Sequence, residues 1–393
     1  MPALIATRPA PPSACLGPSS LLHRVYAGQD LGALTNALIA RALAPTPDPG
    51  AVVDLATVLQ SRGGALAEEG LRLLQQATGA QPSYQITHGT GRGLRLLALV
   101  TAGDFMANTP VDFLLSGSDT TLILHYVTAT TARLDLPPHD IAMLAVAESQ
   151  ANAPVLANLA RLLARHRGPI LNNAPGLIAR LSRDHVSTLL AREASILAPQ
   201  TRRRSRASLR AADLRMPVIL RPTGSHAGQG LRRIANRAEL EGWLANNPAP
   251  EVFVAPFIDY RGPDGMYAKQ RVVLIGGQPF ASHMATSTDW MVHYLNADME
   301  AHLGRRRAEA AWMAGFDTGF ARRHAVAFAA LHRIFGLDYF GIDCAEAPDG
   351  RLLVFEVDTA MIVHDMDDAD LFAYKKPAMR RLFAAFLACA TSA

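Results

Sequence analysis

The chain has 393 residues, 49% apolar and 18% charged, with a formal net charge of +4. That length exceeds one ordinary core and predicts two or three domains, and that composition excludes a chain disordered throughout. The small positive excess suits handling of anionic small molecules. The arginine clusters lack the interleaved aromatics that stack on bases, so nucleic acid is set aside as a partner.

The first twenty residues hold several prolines and no continuous apolar stretch, and read as a loose arm rather than a signal peptide. From about Leu21 to Ala80 apolar residues recur at helical spacing: Leu31, Leu34, Leu38 and Ile39, then Val53, Leu55, Val58 and Leu59, then Leu66, Leu71, Leu73 and Leu74. Breakers at Pro45, Pro47, Pro49-Gly50 and Gly63-Gly64 separate these runs. The pattern loosely resembles tetratricopeptide repeats without a fixed period. Residues 1–85 are therefore expected to be all-α, as a cap on the next domain or as a separate module that docks a protein partner.

Residues 86–185 change period. Leu94–Val100, Thr121–Val127 and Ile141–Ala147 read as buried strands, Ala153–Arg165 as a helix, and Pro169–Asn173 as a short strand ending in a turn at Ala174-Pro175-Gly176. Apolar strands mixed with helices predict an α/β domain with a parallel sheet covered on both faces.

Residues 186–393 alternate strands and helices again. Arg202–Arg206 is a basic stretch, read either as a solvated loop or helix start, or as a mobile loop that meets an anionic ligand. Pro217–Pro222 is a strand that delivers Arg221 at its end. The loop after it carries Gly224, Ser225, Gly228 and Gly230, whose backbone can expose N–H groups to an anion. It is not a P-loop, because no Gly-Lys-Ser/Thr follows; taken alone it reads equally as a hairpin turn. Ile234–Ala245 reads as a helix, Glu251–Asp259 as a strand, and Lys269–Phe280 as a strand with a turn at Gly276-Gly277. Lys269 and Arg271 are two apart and face one side.

The strongest local signal is a strand pair, Gly341–Ala345 and Leu352–Asp358, joined by a turn at Pro348-Asp349-Gly350. Glu356 and Asp358 share one face of their strand, and Asp343 can face the same cavity. Three converging carboxylates repel unless cations neutralise them, and oxygen ligands of this kind suit Mg²⁺ with ATP phosphates completing its shell.

Three cysteines, Cys15, Cys344 and Cys389, lie far apart with no CxxC pair, so neither a zinc site nor a disulfide framework is expected, and a cytoplasmic setting is. No apolar run approaches the roughly 20 residues that span a bilayer, so no membrane partner is expected.

The order of these parts resembles the ATP-grasp superfamily, like D-alanine ligase, glutathione synthetase and the ribosomal-protein glutamate ligases. The residues that carry the resemblance are Asn173-Ala174-Pro175, Arg183-Asp184-His185, Arg221-Pro222, Gly224 to Gly230, Val254-Ala255-Pro256-Phe257 and Asp343…Glu356-Val357-Asp358, over roughly residues 92–393. The resemblance implies an ATP-grasp fold of class α/β, with an α/β pre-domain and two subdomains enclosing ATP within 186–393. His185 and Arg221 stand where the family usually has two lysines that meet ATP phosphates, and Asp358 replaces the usual Asn. Ala255 and Phe257 would offer backbone groups to adenine, Asp259 would meet the ribose, and Asp343, Glu356 and Asp358 would hold Mg²⁺.

The implied reaction is phosphorylation of a substrate carboxylate to an acylphosphate, followed by attack of an amine, giving a C–N bond, ADP and phosphate. The substrates would be amino acids, peptides or proteins. Arg271, and second Lys269, would stabilise the tetrahedral intermediate or the transferred phosphoryl group. Trp290, His293, Tyr294, Asn296 and Asp298 read either as a surface loop leading into a solvated helix start or as the acceptor pocket or a lid, and His364 with its acidic neighbours either packs or lines that pocket. Many relatives are dimers, so a homodimer is compatible. The alternative is a non-catalytic nucleotide-binding scaffold with a degenerate ATP-grasp fold.

Overall fold

The computed structural model describes residues 11–393 except 212, 226 and 227. The described residues open with a two-residue strand, β1 (Ser13–Ala14), and four helices: α1 (Pro18–Tyr26), α2 (Gly32–Ala42), α3 (Pro49–Ser61) and α4 (Gly64–Ala80). The expected loose arm is thus replaced in part by structure, since β1 pairs in parallel with β2 (Ser83–Thr87) and Pro18 opens a helix. Asp48 caps α3 by accepting from the N–H groups of Gly50 and Ala51 at 2.9 and 3.3 Å. A side chain at Gly50 would meet the Ala14 carbonyl at 1.9 Å, so only glycine lets α3 start against β1.

The first sheet continues with β3 (Arg95–Val100), then the short α5 (Val111–Leu114), β4 (Thr121–Tyr126), β5 (Ile141–Leu144), α6 (Ala153–Leu163) and β6 (Ile170–Leu171). Its order is β1-β2-β4-β3-β5-β6, and β4, β3, β5 and β6 run parallel. The continuous apolar run Leu96–Val100 is buried throughout, as a strand covered on both faces must be. One face packs under the N-terminal helices: Val53, Ala56 and Leu74 share a core with Tyr84, Ile86, Leu96 and Val100.

Two short helices, α7 (Pro175–Ile178) and α8 (Arg183–Leu190), lead to β7 (Ile196–Leu197). A four-stranded antiparallel sheet follows, built from β8 (Arg202–Ser205), β9 (Val218–Pro222), β10 (Arg232–Ile234) and β11 (Glu251–Pro256) in the order β10-β9-β11-β8. Helices α9 (Arg206–Ala211) and α10 (Arg237–Asn246) accompany it. The basic stretch 202–206 is therefore neither loop nor helix start for most of its length: 202–205 form the edge strand and Arg206 opens α9. Helix α10 starts three residues later than its apolar pattern suggests, because Ile234 ends β10 and Asn236 caps the helix, accepting from Glu239 N–H at 3.0 Å.

The third sheet holds β12 (Tyr267–Ile275), β13 (Gln278–Ser287), β14 (Tyr339–Glu346) and β15 (Leu352–Asp358), in the order β13-β12-β14-β15-β7. Helices α11 (Leu303–Ala314) and α12 (Ala325–Phe335) lie between β13 and β14, and α13 (Lys376–Ser392) ends the chain. One core cluster joins Leu97 and Ile123 of the first sheet to Val272, Phe340 and Val354 of the third, so these two sheets share an interior. The four-stranded sheet has its own core around Leu220, Leu240 and Val252. Among the described residues no helix is long and apolar enough to cross a membrane.

Candidate functional site

A cleft between the four-stranded sheet and the third sheet is lined by Arg183 of α8, Arg221 of β9, Lys269 of β12, Asp343 of β14 and Glu356 of β15. The ladder register sets its floor. Arg271 lies opposite Asp343, and Asp343 opposite Glu356, so the three form one row across β12, β14 and β15. Asp358 falls two residues beyond Glu356, opposite Gly341.

The carboxylates do not stand alone. Lys269 Nζ donates to Asp343 Oδ2 at 2.8 Å, and Arg271 donates through Nε to Oδ1 at 2.8 Å and through Nη2 to Oδ2 at 3.2 Å. Arg271 Nη1 also donates to the Ile362 carbonyl at 3.0 Å. Burial alone would raise the Asp343 carboxyl, but Arg271 and Lys269 hold it well below the usual carboxylate range. Arg183 donates to Glu356 Oε1. Burial opposes ionisation of Glu356 as well, and Arg183 and Arg221 outweigh it, keeping that carboxyl low. Asp358 is different: burial and the negative Glu356 push it up to about 7, although Ala360 N–H donates to it at 2.8 Å.

Arg221 bends back onto its own loop, donating through Nη2 to the Ser225 carbonyl at 2.6 Å and through Nε to Ser225 Oγ at 3.2 Å. Burial, reinforced by the nearby Arg183, lowers it to about 10, still charged at neutral pH. Gly224, Gly228 and Gly230 take positive φ of 74°, 76° and 69°. A Cβ at Gly230 would sit 2.7 Å from Pro222 Cγ, so the loop needs glycine there on two counts.

The cleft also has apolar walls, among them Ala255, Phe257, Ile258, Trp290 and Val354. The Phe257 ring meets Trp290 edge-on at 5.9 Å and carries the Arg233 guanidinium at 4.6 Å. Its N–H donates to the Pro217 carbonyl at 3.1 Å.

Arg221, Ala255, Phe257, Lys269, Asp343 and Glu356 line one cleft, with Arg271 and Asp358 adjoining it. His185 and Asp259 do not. His185 is exposed, its ring 3.0 Å from Ser182 Oγ. Asp259 is exposed and held by Arg261 at 2.6 Å, which lowers it to about 2.

Arg183 takes the cleft-facing place on α8. Val186, Ser187 and Leu190 are the buried residues of the helix, and Arg183, Val186 and Ser187 line the cleft, Arg183 and Ser187 being four apart on one face. Glu148, in the segment after β5, also bears on the site: its charge contributes to raising Asp358 and it is itself raised by burial, against the pull of Arg183.

Beside Arg271 lies a second polar group. Glu309, fully buried, accepts from Met284 N–H at 2.9 Å, from Tyr374 OH at 2.6 Å and from Tyr294 OH at 3.1 Å. Lys375 Nζ is 2.9 Å from Tyr294 OH and 2.5 Å from Asp367 Oδ2. His283, opposite Arg271 on β13, packs its ring 4.7 Å from that of Tyr294; burial and then Arg271 hold it well below the usual imidazole range. Of the polar-aromatic stretch after His283, Trp290 therefore reaches the cleft and Tyr294 reaches this network. His364 packs its ring 5.7 Å from that of Tyr26 on α1.

Among the described residues no three His, Cys, Asp or Glu side chains are placed to hold a metal ion by themselves. Magnesium bound with a nucleotide takes only one or two carboxylates and fills its shell with phosphate oxygens and water. Glu356 and Asp358 fit that role: both offer hard oxygen donors, and the repulsion that raises Asp358 is the kind a cation relieves.

No protein-family model and no curated protein matches the chain. Solved structures do. A RimK domain ATP-grasp protein from Sphaerobacter thermophilus is similar over 75% of this chain and 99% of its own, at 17% identity and a TM-score of 0.44. VanG D-Ala:D-Ser ligase from Enterococcus faecalis is similar over 76% and 99%, at 12% identity and a TM-score of 0.46. D-alanine–D-alanine ligase from Bacillus anthracis is similar over 76% and 98%, at 12% identity and a TM-score of 0.45. Each likeness is one of fold.

Proposed function

We propose that this chain is an ATP-dependent ligase of the ATP-grasp type, joining a carboxylate to an amine through an acylphosphate. The observation that supports the reading is the gathering of Arg183, Arg221 and Lys269 with Asp343 and Glu356 in one cleft that also has apolar and aromatic walls.

Phosphoryl transfer asks little covalent chemistry of a protein; it asks for positioning and for neutralisation of phosphate charge. In this reading the adenine packs against the apolar lining residues Phe257, Trp290 and Val354. The polyphosphate runs toward Arg221, Lys269 and Arg183, beside the backbone of Gly224, Gly228 and Gly230. Glu356 and Asp358 would hold Mg²⁺, which would offset the phosphate charge. Arg271, buried beside the row and fixed by Asp343 and the Ile362 carbonyl, orients the group that accepts the phosphoryl. No cysteine or serine stands as an evident nucleophile, so the acyl group is carried on phosphate rather than on the protein. Attack of the amine on that acylphosphate forms the C–N bond and releases phosphate.

The test is calorimetric titration with Mg-ATP, together with ADP release over a panel of amino acids and short peptides. The full chain is expected to bind Mg-ATP and to form ADP only with the right acceptor. Glu356→Gln is expected to lower turnover at least 100-fold while the protein stays folded. Full turnover in that variant would remove Glu356 from the mechanism.

A further inference from the structure

A second cavity lies where the N-terminal helices meet the first sheet. Its walls are Leu22 and Val25 of α1, Val53 of α3, Leu74 of α4, and Phe105 and Val111 in the segment that follows β3. Ile362 and Met366 line it as well, and the carbonyl of Ile362 accepts from Arg271 Nη1. Ile362 therefore lines the cavity and bonds Arg271 of the row. Helix α1 is tied to the same loop from the other side: His23 Nε2 lies 3.3 Å from Asp365 Oδ1, and Tyr26 packs on His364.

Its chemistry is selective. Most of the walls are aliphatic or aromatic, and neither lysine nor arginine is among its lining residues, so an anionic side chain has no partner there. The acids that reach it are partly engaged: Asp112 Oδ2 accepts from Ser19 N–H at 2.6 Å, Asp112 Oδ1 lies 3.0 Å from His88 Nε2 without a hydrogen bond to it, and Asp104 accepts from Met106 N–H at 2.9 Å. Two buried polar atoms of the lining, Thr109 Oγ1 and Asp112 Oδ1, have no hydrogen-bond partner among the described residues, and Thr109 is 4% exposed. Such a hydroxyl is expected to find a partner when buried, and a ligand can supply it.

We propose that this cavity receives the large apolar or aromatic side chain of an amino-acid or peptide substrate whose reacting end is held at Arg271. The inference rests on the ligase reading for the identity of that reacting end. It gives the N-terminal helices a role in choosing the substrate.

The experiment measures binding of phenylalanine, leucine, alanine, glutamate and lysine, and of the dipeptides Ala-Phe and Ala-Ala, to the full chain by calorimetry, with and without Mg-ATP. Phenylalanine, leucine or Ala-Phe is expected to bind at least tenfold tighter than its alanine counterpart. Val25→Trp, which fills the cavity from the half-buried face of α1, is expected to abolish that preference while leaving Mg-ATP affinity unchanged. Leu22→Trp provides the same test should Val25→Trp fail to fold. A preference for glutamate or lysine, no preference at all, or a preference that survives both folded variants would overturn the proposal. Apolar binding that is lost in the variants, in a chain that does not bind Mg-ATP, would keep the pocket and overturn the ligase reading instead.

Discussion

Lys269 reaches across the β12–β14 ladder to place Nζ 2.8 Å from Asp343 Oδ2, so the carboxylate at the centre of the cleft is already neutralised by the protein. Arg271 occupies its other oxygen. Asp343→Asn would leave two cations facing one another with little solvent. Loss of one partner from a buried charge cluster typically costs about 3–5 kcal/mol. Urea unfolding should show a loss of that order for Asp343→Asn and a smaller one for Lys269→Met, in which Arg271 still pairs with Asp343. A change below about 0.5 kcal/mol in Asp343→Asn would mean that the cluster does not hold the site together.

Arg221 is the strand-end cation beside the glycine loop, and in the proposed reading it meets the phosphates. Arg221→Ala should weaken Mg-ATP binding by about 1–3 kcal/mol, the scale of a charge-assisted hydrogen bond. Because Arg221 also bonds Ser225, the loop should become more open to proteolysis in the same variant. Unchanged nucleotide affinity by calorimetry would remove it from the phosphate site.

His125 carries a pH dependence away from the cleft. It is 3% exposed, its Nδ1 lies 2.9 Å from Ser83 Oγ, and burial lowers it to about 4. The unfolded imidazole titrates near 6.5, so the unfolded chain binds the proton first. The stabilising term is fully present above about pH 6.5 and is lost as pH falls toward 4, by on the order of 3 kcal/mol. Asp54, which burial raises to about 6, acts in the opposite sense between about pH 4 and 6, so the difference between wild type and His125→Gln is the quantity to measure. The variant should lose less stability than wild type on acidification from pH 7 to 5; equal losses would contradict the assignment.

The N-terminal helices share their core with the first sheet. A chain beginning at Pro82 would expose Tyr84, Ile86 and Leu96 where Val53, Ala56 and Leu74 now cover them, and would lose β1 from the sheet. It is expected to aggregate, as read by size-exclusion chromatography. A soluble monomer that still binds Mg-ATP would instead make these helices an independent docking module.

What was legible in the sequence follows from how local each signal is. Strand alternation alone puts Lys269 with Arg271, and Glu356 with Asp358, on shared faces, and the short turn at Pro348-Asp349-Gly350 brings Asp343 opposite Glu356. Arg183 and His185 could not be separated by a motif, because the rotation of α8 depends on which residues find a core, here Val186 and Leu190. Glu148 sits in the segment after β5, where no periodicity points. Strand β1 owes its existence to pairing with residues seventy positions away, and two residues carry no pattern of their own. Strand β8 was hidden by its arginines. They are tolerated at a sheet edge, where Arg203 lies over the Phe253 ring at 5.2 Å.

The most direct test of the ligase reading uses Mg-ATP and an acceptor panel whose carboxylates carry heavy oxygen, with nucleotide and phosphate read by mass spectrometry. The account predicts ADP as the nucleotide product and one heavy oxygen transferred into the released phosphate. AMP with pyrophosphate, or ADP with unlabelled phosphate, would contradict an acylphosphate formed in this cleft.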